Sequence, residues 1–489
     1  MGSGGKSCTG VAGRAFLLAL LTAGALCAEA TAQLPANVSY RFRLATAAGS
    51  AGSLPFWLHA NQYGVVDPSS ANTIAEASVY TPFNTGRSFS LSYGIDAVGR
   101  VSDNSSTYLN AVYLKLKYDW LQLNGGRYKE RLDAYGGDLS SGSYIWSGNT
   151  RPMYKVCLFT NDYVPVPFTN GFFSLRGSFG HGWFGNNRYI KDAYLHEKSL
   201  FGRFGGEGRR VNVFAGLMHF VMWGGYSDET GALPTTLSDF WAVILGEGAA
   251  TEAPAGEKEN RLGNHLGVWE LGGSVDFGDF NLMLHKSTPF DDQSGLHFHN
   301  FEDGLYGVKV GKKDGGGVVD GVLWEVLYTK NQSGESAPHD TTGAGIGMDN
   351  YFNNYVYRDG WTYGGRILGT PLFSFDPLRT INTIYNNRVL AYHFGVGGTL
   401  FSTRYVAYYT YSQNYGTYPD LVDAQATGTD YRFDPPLKQH AWMLRLERPV
   451  SVGNRVLFLD ATVAGDAGEM RPDGVGAMVG IKYVGMFGM

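Results

Sequence analysis

The feature that most constrains the fold is a two-residue alternation that recurs along most of the chain. Across residues 88–101, Phe89, Leu91, Tyr93, Ile95, Ala97 and Val101 share one parity, while Ser90, Ser92, Asp96 and Arg100 occupy the other. Successive side chains of an extended strand point to opposite faces, so this segment has one apolar and one polar side. The pattern returns at 108–118, where Val112, Leu114 and Leu116 oppose Tyr113, Lys115 and Lys117. It resumes at 120–123 after a turn at Asp119, which makes an antiparallel hairpin.

Similar segments are predicted at 172–179, 193–200, 212–220, 268–277, 280–286, 306–312, 322–329, 361–368, 389–396, 403–412, 441–447 and 456–463. The last runs from Val475 to the chain end, with Lys482 on the polar face and Phe487 third from the end. Short connections such as Gly278-Asp279 and Gly453-Asn454 alternate with long polar ones at 287–304, 331–360 and 413–438, the loop asymmetry of a bacterial outer-membrane barrel.

These observations predict an all-β fold, a transmembrane antiparallel barrel of sixteen to eighteen strands with a polar lumen. In hydrocarbon every backbone polar group needs an internal partner, which only helices and closed sheets supply. After the leader, no uninterrupted apolar stretch is long enough for a spanning helix. Composition agrees: 68 Gly, 31 Tyr and 29 Phe against 17% charged residues suit many strands, tight turns and aromatic girdles.

The division expected is a signal peptide at 1–32, an N-terminal periplasmic or lumenal element at 33–84 and the barrel at 85–489. The leader is read from Lys6 and Arg14, the apolar run beginning at Phe16, and Ala30-Thr31-Ala32 before Gln33. Its removal takes two basic residues and one acidic residue, moving the formal charge from −5 to −6, which gives no reason to expect nucleic acid. Cys8 and Cys27 leave with it, so Cys157 stands alone without an intramolecular disulfide. Two stretches read as helical: 54–60 (LPFWLHA), tucked into the barrel with the loop after it, and 238–246 (SDFWAVILG), with Ser238 as cap and a terminal Gly.

Chemistry-bearing motifs are sparse. His297 and His299 could begin a metal site but lack further ligands at a recognisable spacing. His181, His196 and His219 leave a lipid- or glycan-modifying activity open, without a G-x-S-x-G elbow to single out a nucleophile. No cofactor or metal is expected. Aromatics interleaved with amides and guanidinium groups are more prominent: Trp183, Asn186, Asn187, Arg188 and Tyr189; Trp223 and Tyr226; Asn350, Tyr351, Asn353, Arg358 and Trp361. Sugar rings stack an apolar face on aromatic side chains, and Arg pairs with carboxylates, so these are candidate glycan-binding residues. The same aromatics would also suit membrane interfaces.

Several blocks together resemble the Wzi-type capsule assembly proteins, in the branch found in Bacteroidetes-like bacteria. They are 55–64 (PFWLHANQYG), 180–183 (GHGW) with 191–196 (KDAYLH), 216–225 (GLMHFVMWGG), 294–301 (SGLHFHNF) with 303–305 (DGL), and 349–354 (DNYFNN) with 360–363 (GWTY) and 369–371 (GTP). The resemblance implies an outer-membrane barrel of about eighteen strands with a small helical N-terminal element. It also implies a lectin-like, non-enzymatic role in holding exported capsular or other surface polysaccharide at the cell surface. The expected setting is a monomer in outer-membrane lipid. A channel for sugars or small solutes is the alternative.

Overall fold

The computed structural model describes residues 38–83, 88–132, 135–248, 261–291, 293–334, 349–379, 383–418 and 432–487. The leader expected at 1–32 lies outside them. Eighteen long strands form one closed antiparallel sheet. They are β1 (Ser39–Ser53), β2 (Ser69–Tyr80), β3 (Phe89–Val101), β4 (Ser106–Tyr118), β5 (Leu121–Arg127), β6 (Tyr154–Thr160), β7 (Phe173–Trp183), β8 (Tyr194–Phe204) and β9 (Val211–Trp223). There follow β10 (Asn264–Phe277), β11 (Phe280–Phe290), β12 (Gly304–Lys312), β13 (Gly321–Tyr328), β14 (Val389–Leu400), β15 (Thr403–Gly416), β16 (Arg432–Val452), β17 (Arg455–Gly468) and β18 (Gly474–Met486). The barrel closes between β1 and β18, in register from Ser39 opposite Met486 to Gly49 opposite Gly476. No edge remains to seek a partner.

The alternation read from the sequence sorts the two faces of the wall. Leu91, Ile95, Leu114, Leu158, Leu200, Leu271, Leu284, Trp324, Phe394, Trp442 and Ile481 are exposed on the outer surface. Asp96 and Lys115 point inward with Arg43, Glu76 and Asp460. Several inward charges in the half of the lumen nearer the short turns are paired: Arg43 to Glu76 at 3.0 Å and to Asp460 at 2.6 Å, and Lys482 to Glu447 at 2.6 Å.

Two expectations about the wall are corrected. The barrel does not begin at residue 85, because β1 and β2 belong to the wall and only 54–68 between them turns into the lumen. The outward positions of β1 and β2 are mostly small, including Thr46, Ala48 and Ala77, so the apolar signal there is weak. Residues 361–368 are not a wall strand but a two-residue ladder, Thr362–Tyr363 against Arg366–Ile367, turned by Gly364 and Gly365 with φ of 57° and 74°. That geometry is the primed hairpin turn that two consecutive glycines favour.

The lumen is not polar throughout. Segments 54–68, 128–132, 135–153, 329–334, 349–379 and 383–388 fold into it from the long-loop end. Phe56, Trp57, Leu58, Tyr144, Ile145, Trp146, Tyr351, Phe352 and Trp361 form one apolar core with inward wall residues such as Ala47, Phe220, Leu266, Leu327, Met443 and Met478. The expected lumenal helix is α1 (Phe56–His59). Its ends and rings are tied to the wall: Phe56 N–H donates to Asp466 at 2.8 Å and Trp57 Nε1 to Thr410 at 3.2 Å. The plug segments also hold one another, with Trp361 Nε1 donating to the Ile145 carbonyl at 2.7 Å and Ser147 N–H to the Leu368 carbonyl at 2.8 Å. The second expected helix, α2 (Leu237–Leu245), lies outside the lumen. Its cap is Thr236 rather than Ser238, because Thr236 and Asp239 close a reciprocal capping box.

Candidate functional site

The plugged lumen leaves an open cleft of about 440 Å³ at the long-loop mouth, and four arginines from four separate segments converge there. Arg100 stands at the end of β3, Arg151 in the plug segment after β5, Arg366 at the exit of the Gly364-Gly365 turn, and Arg471 between β17 and β18. Two are held by backbone carbonyls and two rest on aromatic rings. Arg100 donates to the Gly64 and Val65 carbonyls at 3.3 and 3.2 Å and pairs with Asp67 at 3.5 Å. Arg151 stacks on Tyr108 with the guanidinium 3.5 Å from the ring centroid. Arg366 donates to the His59 and Val66 carbonyls at 2.9 and 2.6 Å. Arg471 lies 4.1 Å over the Phe56 ring, so the lumenal helix serves as its platform.

The balance of charge is the main property of the cleft. Asp67 pairs with Arg100, while among the described residues Arg151, Arg366 and Arg471 have no carboxylate within 4.0 Å. Burial lowers the Arg366 pKa to about 10, Asp67 opposing the fall and Arg100 and Arg151 adding to it. Burial likewise lowers Arg471, against the pull of Asp466. Both remain cations at neutral pH in a partly desolvated site, Arg366 with Arg100 and Arg151 beside it, which favours an incoming anion. Burial holds His59 well below the ordinary imidazole range, with Arg366 and Arg471 adding to the effect, so it is neutral at pH 7. The Asn104 and Asn149 amides line the same cleft beside the guanidinium groups.

None of these arginines was singled out from the sequence as a ligand contact. The only local signal was the Gly-Gly pair before Arg366; the convergence depends on how the plug folds.

The residues that were singled out divide into three sets. Trp183 and Trp223 face outward on the wall, Trp183 exposed and Trp223 buried beneath Phe240 with ring centroids 5.6 Å apart. Arg188, Asn350, Tyr351, Asn353 and Trp361 hold the plug together. Arg188 donates to the Thr362 and Gly360 carbonyls, Asn350 accepts from Asn353 and Asn387, and Asn353 exchanges hydrogen bonds with Ile384. The Tyr351 hydroxyl donates to Asp303 at 2.7 Å, and both Tyr351 and Trp361 are fully buried.

The third set lies on the outer rim. Asn186, Asn187 and Tyr226 are exposed there. Arg358 makes a bidentate pair with Glu229 at 2.7 and 2.8 Å and lies over Tyr189, whose hydroxyl also reaches Glu229. Glu229 occupies the guanidinium fork of Arg358.

The histidines do not assemble a hydrolytic centre. His196 and His219 face outward on the wall, and His181 stands opposite His196. Exposed His297 and His299 have ring centroids 6.2 Å apart, and among the described residues no group of three His, Cys, Asp or Glu could hold a metal ion.

No protein-family model and no curated protein matches the chain. Among solved structures, it is similar to the Escherichia coli outer-membrane protein Wzi, described as a carbohydrate-binding β-barrel involved in group 1 capsule assembly. The TM-score is 0.56 at 14% identity, over 91% of this chain and 84% of that one. Two barrels of Pseudomonas aeruginosa also match: OccK5 (OpdH), with a TM-score of 0.47 at 9% identity over 92% and 97% of the two chains, and OccK2 (OpdF) in complex with glucuronate, with 0.47 at 10% over 92% and 98%. The likeness is one of fold. With its closed sheet and apolar outer wall, the chain is an outer-membrane β-barrel, and its arginine cleft opens at the end of the barrel that carries the longer connections.

Proposed function

We propose that this protein is an outer-membrane lectin that holds an acidic surface polysaccharide at the cell exterior as part of capsule assembly. The observation that carries the reading is the convergence of Arg100, Arg151, Arg366 and Arg471, with Asp67 as the paired carboxylate, in an open cleft at the long-loop mouth. Planar guanidinium groups match carboxylate, sulfate or phosphate substituents in a bidentate way, and the adjacent amides suit sugar hydroxyls. The described carbohydrate binding of Wzi, whose fold this chain shares, supports the same reading.

The apolar plug favours holding over conduction, since its core packs against both wall and loops across the lumen. The reading is also one of binding without turnover. The test is binding of the detergent-solubilised protein to a glycan array that includes uronate-bearing and neutral polysaccharides. Retention of uronate-bearing chains, weakened by salt, is expected; equal retention of neutral chains would overturn the charge argument. In cells, gene deletion is expected to release polysaccharide into the medium with synthesis intact.

A further inference from the structure

The nine residues of α2 sit on the outside of the barrel wall, at its long-loop end. Phe240 packs against outward-facing side chains of three adjacent strands, with ring centroids 6.1 Å from His181 on β7, 5.9 Å from His196 on β8 and 5.6 Å from Trp223 on β9. Ala242 and Val243 are buried with Val221, Trp223 and Leu262. Lys198, also outward on β8, donates to the Ile244 carbonyl at the C-terminal end of the helix, where a cation complements the exposed carbonyl dipoles.

The wall beneath and beside α2 carries polar groups. His196 is fully buried beneath the Phe240 ring. His219 and His265 share a hydrogen bond of 3.0 Å, and His265 reaches the Leu262 carbonyl at 2.9 Å. Imidazole and ammonium groups facing acyl chains would be costly. The opposite side of α2 is apolar: Leu237, Trp241 and Leu245, spaced i, i+4, i+8, are 73%, 56% and 66% exposed. Asp239, the one ionisable residue of the helix, is turned into the capping box. A helix bathed in water would carry polar residues on such a face.

We infer that α2 is a wall helix embedded in the outer leaflet. Its Leu237, Trp241 and Leu245 row packs against lipid acyl chains, and its inner face shields the Lys198 and histidine patch from them. The apolar row continues the lipid-facing surface formed by Leu200 on β8 and Leu271 on β10, the strand next to β9, so the occupant of the face is the bilayer that already surrounds the barrel. The inference is independent of what the arginine cleft binds.

The test is a nitroxide at position 245 (Leu245→Cys in a Cys157→Ser background) in the full-length protein reconstituted into phosphatidylcholine vesicles, with heat-modifiable electrophoretic migration as the check of folding. Leu200→Cys on the bare wall and Asn187→Cys on a loop are the references. The oxygen-to-nickel-chelate accessibility ratio at 245 is expected within about twofold of that at 200 and far above that at 187, as for an apolar face seated at the acyl boundary. A ratio matching position 187 would place the helix in water and overturn the inference. So would strong spin coupling between copies, which would assign the face to a second protein molecule. Should Cys157→Ser fail to fold, quenching of single-tryptophan variants retaining Trp241 by doxyl-labelled lipid reads the same contact.

Discussion

At the residue scale, the cleft predicts that its cations do not contribute alike. Arg151 and Arg471 rest on rings and are not committed to the backbone, so Arg151→Ala and Arg471→Ala are expected to leave the fold intact. Each should weaken acidic-glycan affinity by about tenfold, the scale of one charge-assisted hydrogen bond. Titration calorimetry at two salt concentrations checks this, with the variants showing the shallower salt dependence. Arg100→Ala differs because its guanidinium also binds the Gly64 and Val65 carbonyls, so stability is lost along with binding. Trp361 illustrates the opposite case: its ring is fully buried and its indole N–H is spent on Ile145. Trp361→Ala should destabilise the plug by about 3–5 kcal/mol, the cost typical of emptying an aromatic core site. Faster hydrogen exchange in 143–147 would report it.

At the scale of elements, the Gly364-Gly365 hairpin is a lever for Arg366. A side chain at position 365 would have to adopt φ near 74°, which costs about 1–2 kcal/mol for an L-residue. Gly365→Ala is therefore expected to lower glycan affinity while the plug core stays folded, which calorimetry and tryptophan emission can separate. The plug segment 329–334 depends on Asp303. Its carboxyl accepts from the Asn331 and Gln332 N–H groups at 2.9 and 2.7 Å and from the Tyr351 hydroxyl at 2.7 Å. Burial nevertheless pushes its pKa up to about 6. A folded carboxyl with a raised pKa binds its proton before the unfolded chain does. It contributes stability that is full below the ordinary carboxylate range and is lost as pH rises through about 6. After correction for intrinsic rates, exchange protection at 331 and 332 should be higher at pH 5 than at pH 7.5, and Asp303→Asn should flatten that difference.

At the scale of the whole molecule, eighteen strands would enclose a wide aqueous bore if the lumen were empty. The plug replaces much of that water with Phe56, Trp57, Tyr144, Phe352 and Trp361, so planar-bilayer recordings are expected to show little conductance compared with an open barrel of this size. The long strands were legible because a wall with lipid on one side must alternate with a period of two, and residues 89–101 and 112–118 do so without help from the rest of the chain. β1 and β2 escaped because small outward residues dilute the pattern, and β6 because seven residues carry apolar Cys157 and Phe159 on the inward face as well.

The sequence by itself therefore determined most of the long wall strands and the place of the two helices, since these follow from local periodicity and end signals. Only the tertiary structure decided what fills the barrel and which cations meet at its mouth. Arg100, Arg151, Arg366 and Arg471 lie on segments up to several hundred positions apart, and no local pattern records that they meet. Tyr351 and Trp361, which as residue types suit a sugar ring equally well, are taken up by the plug because burying them removes more apolar surface from water than exposure would allow.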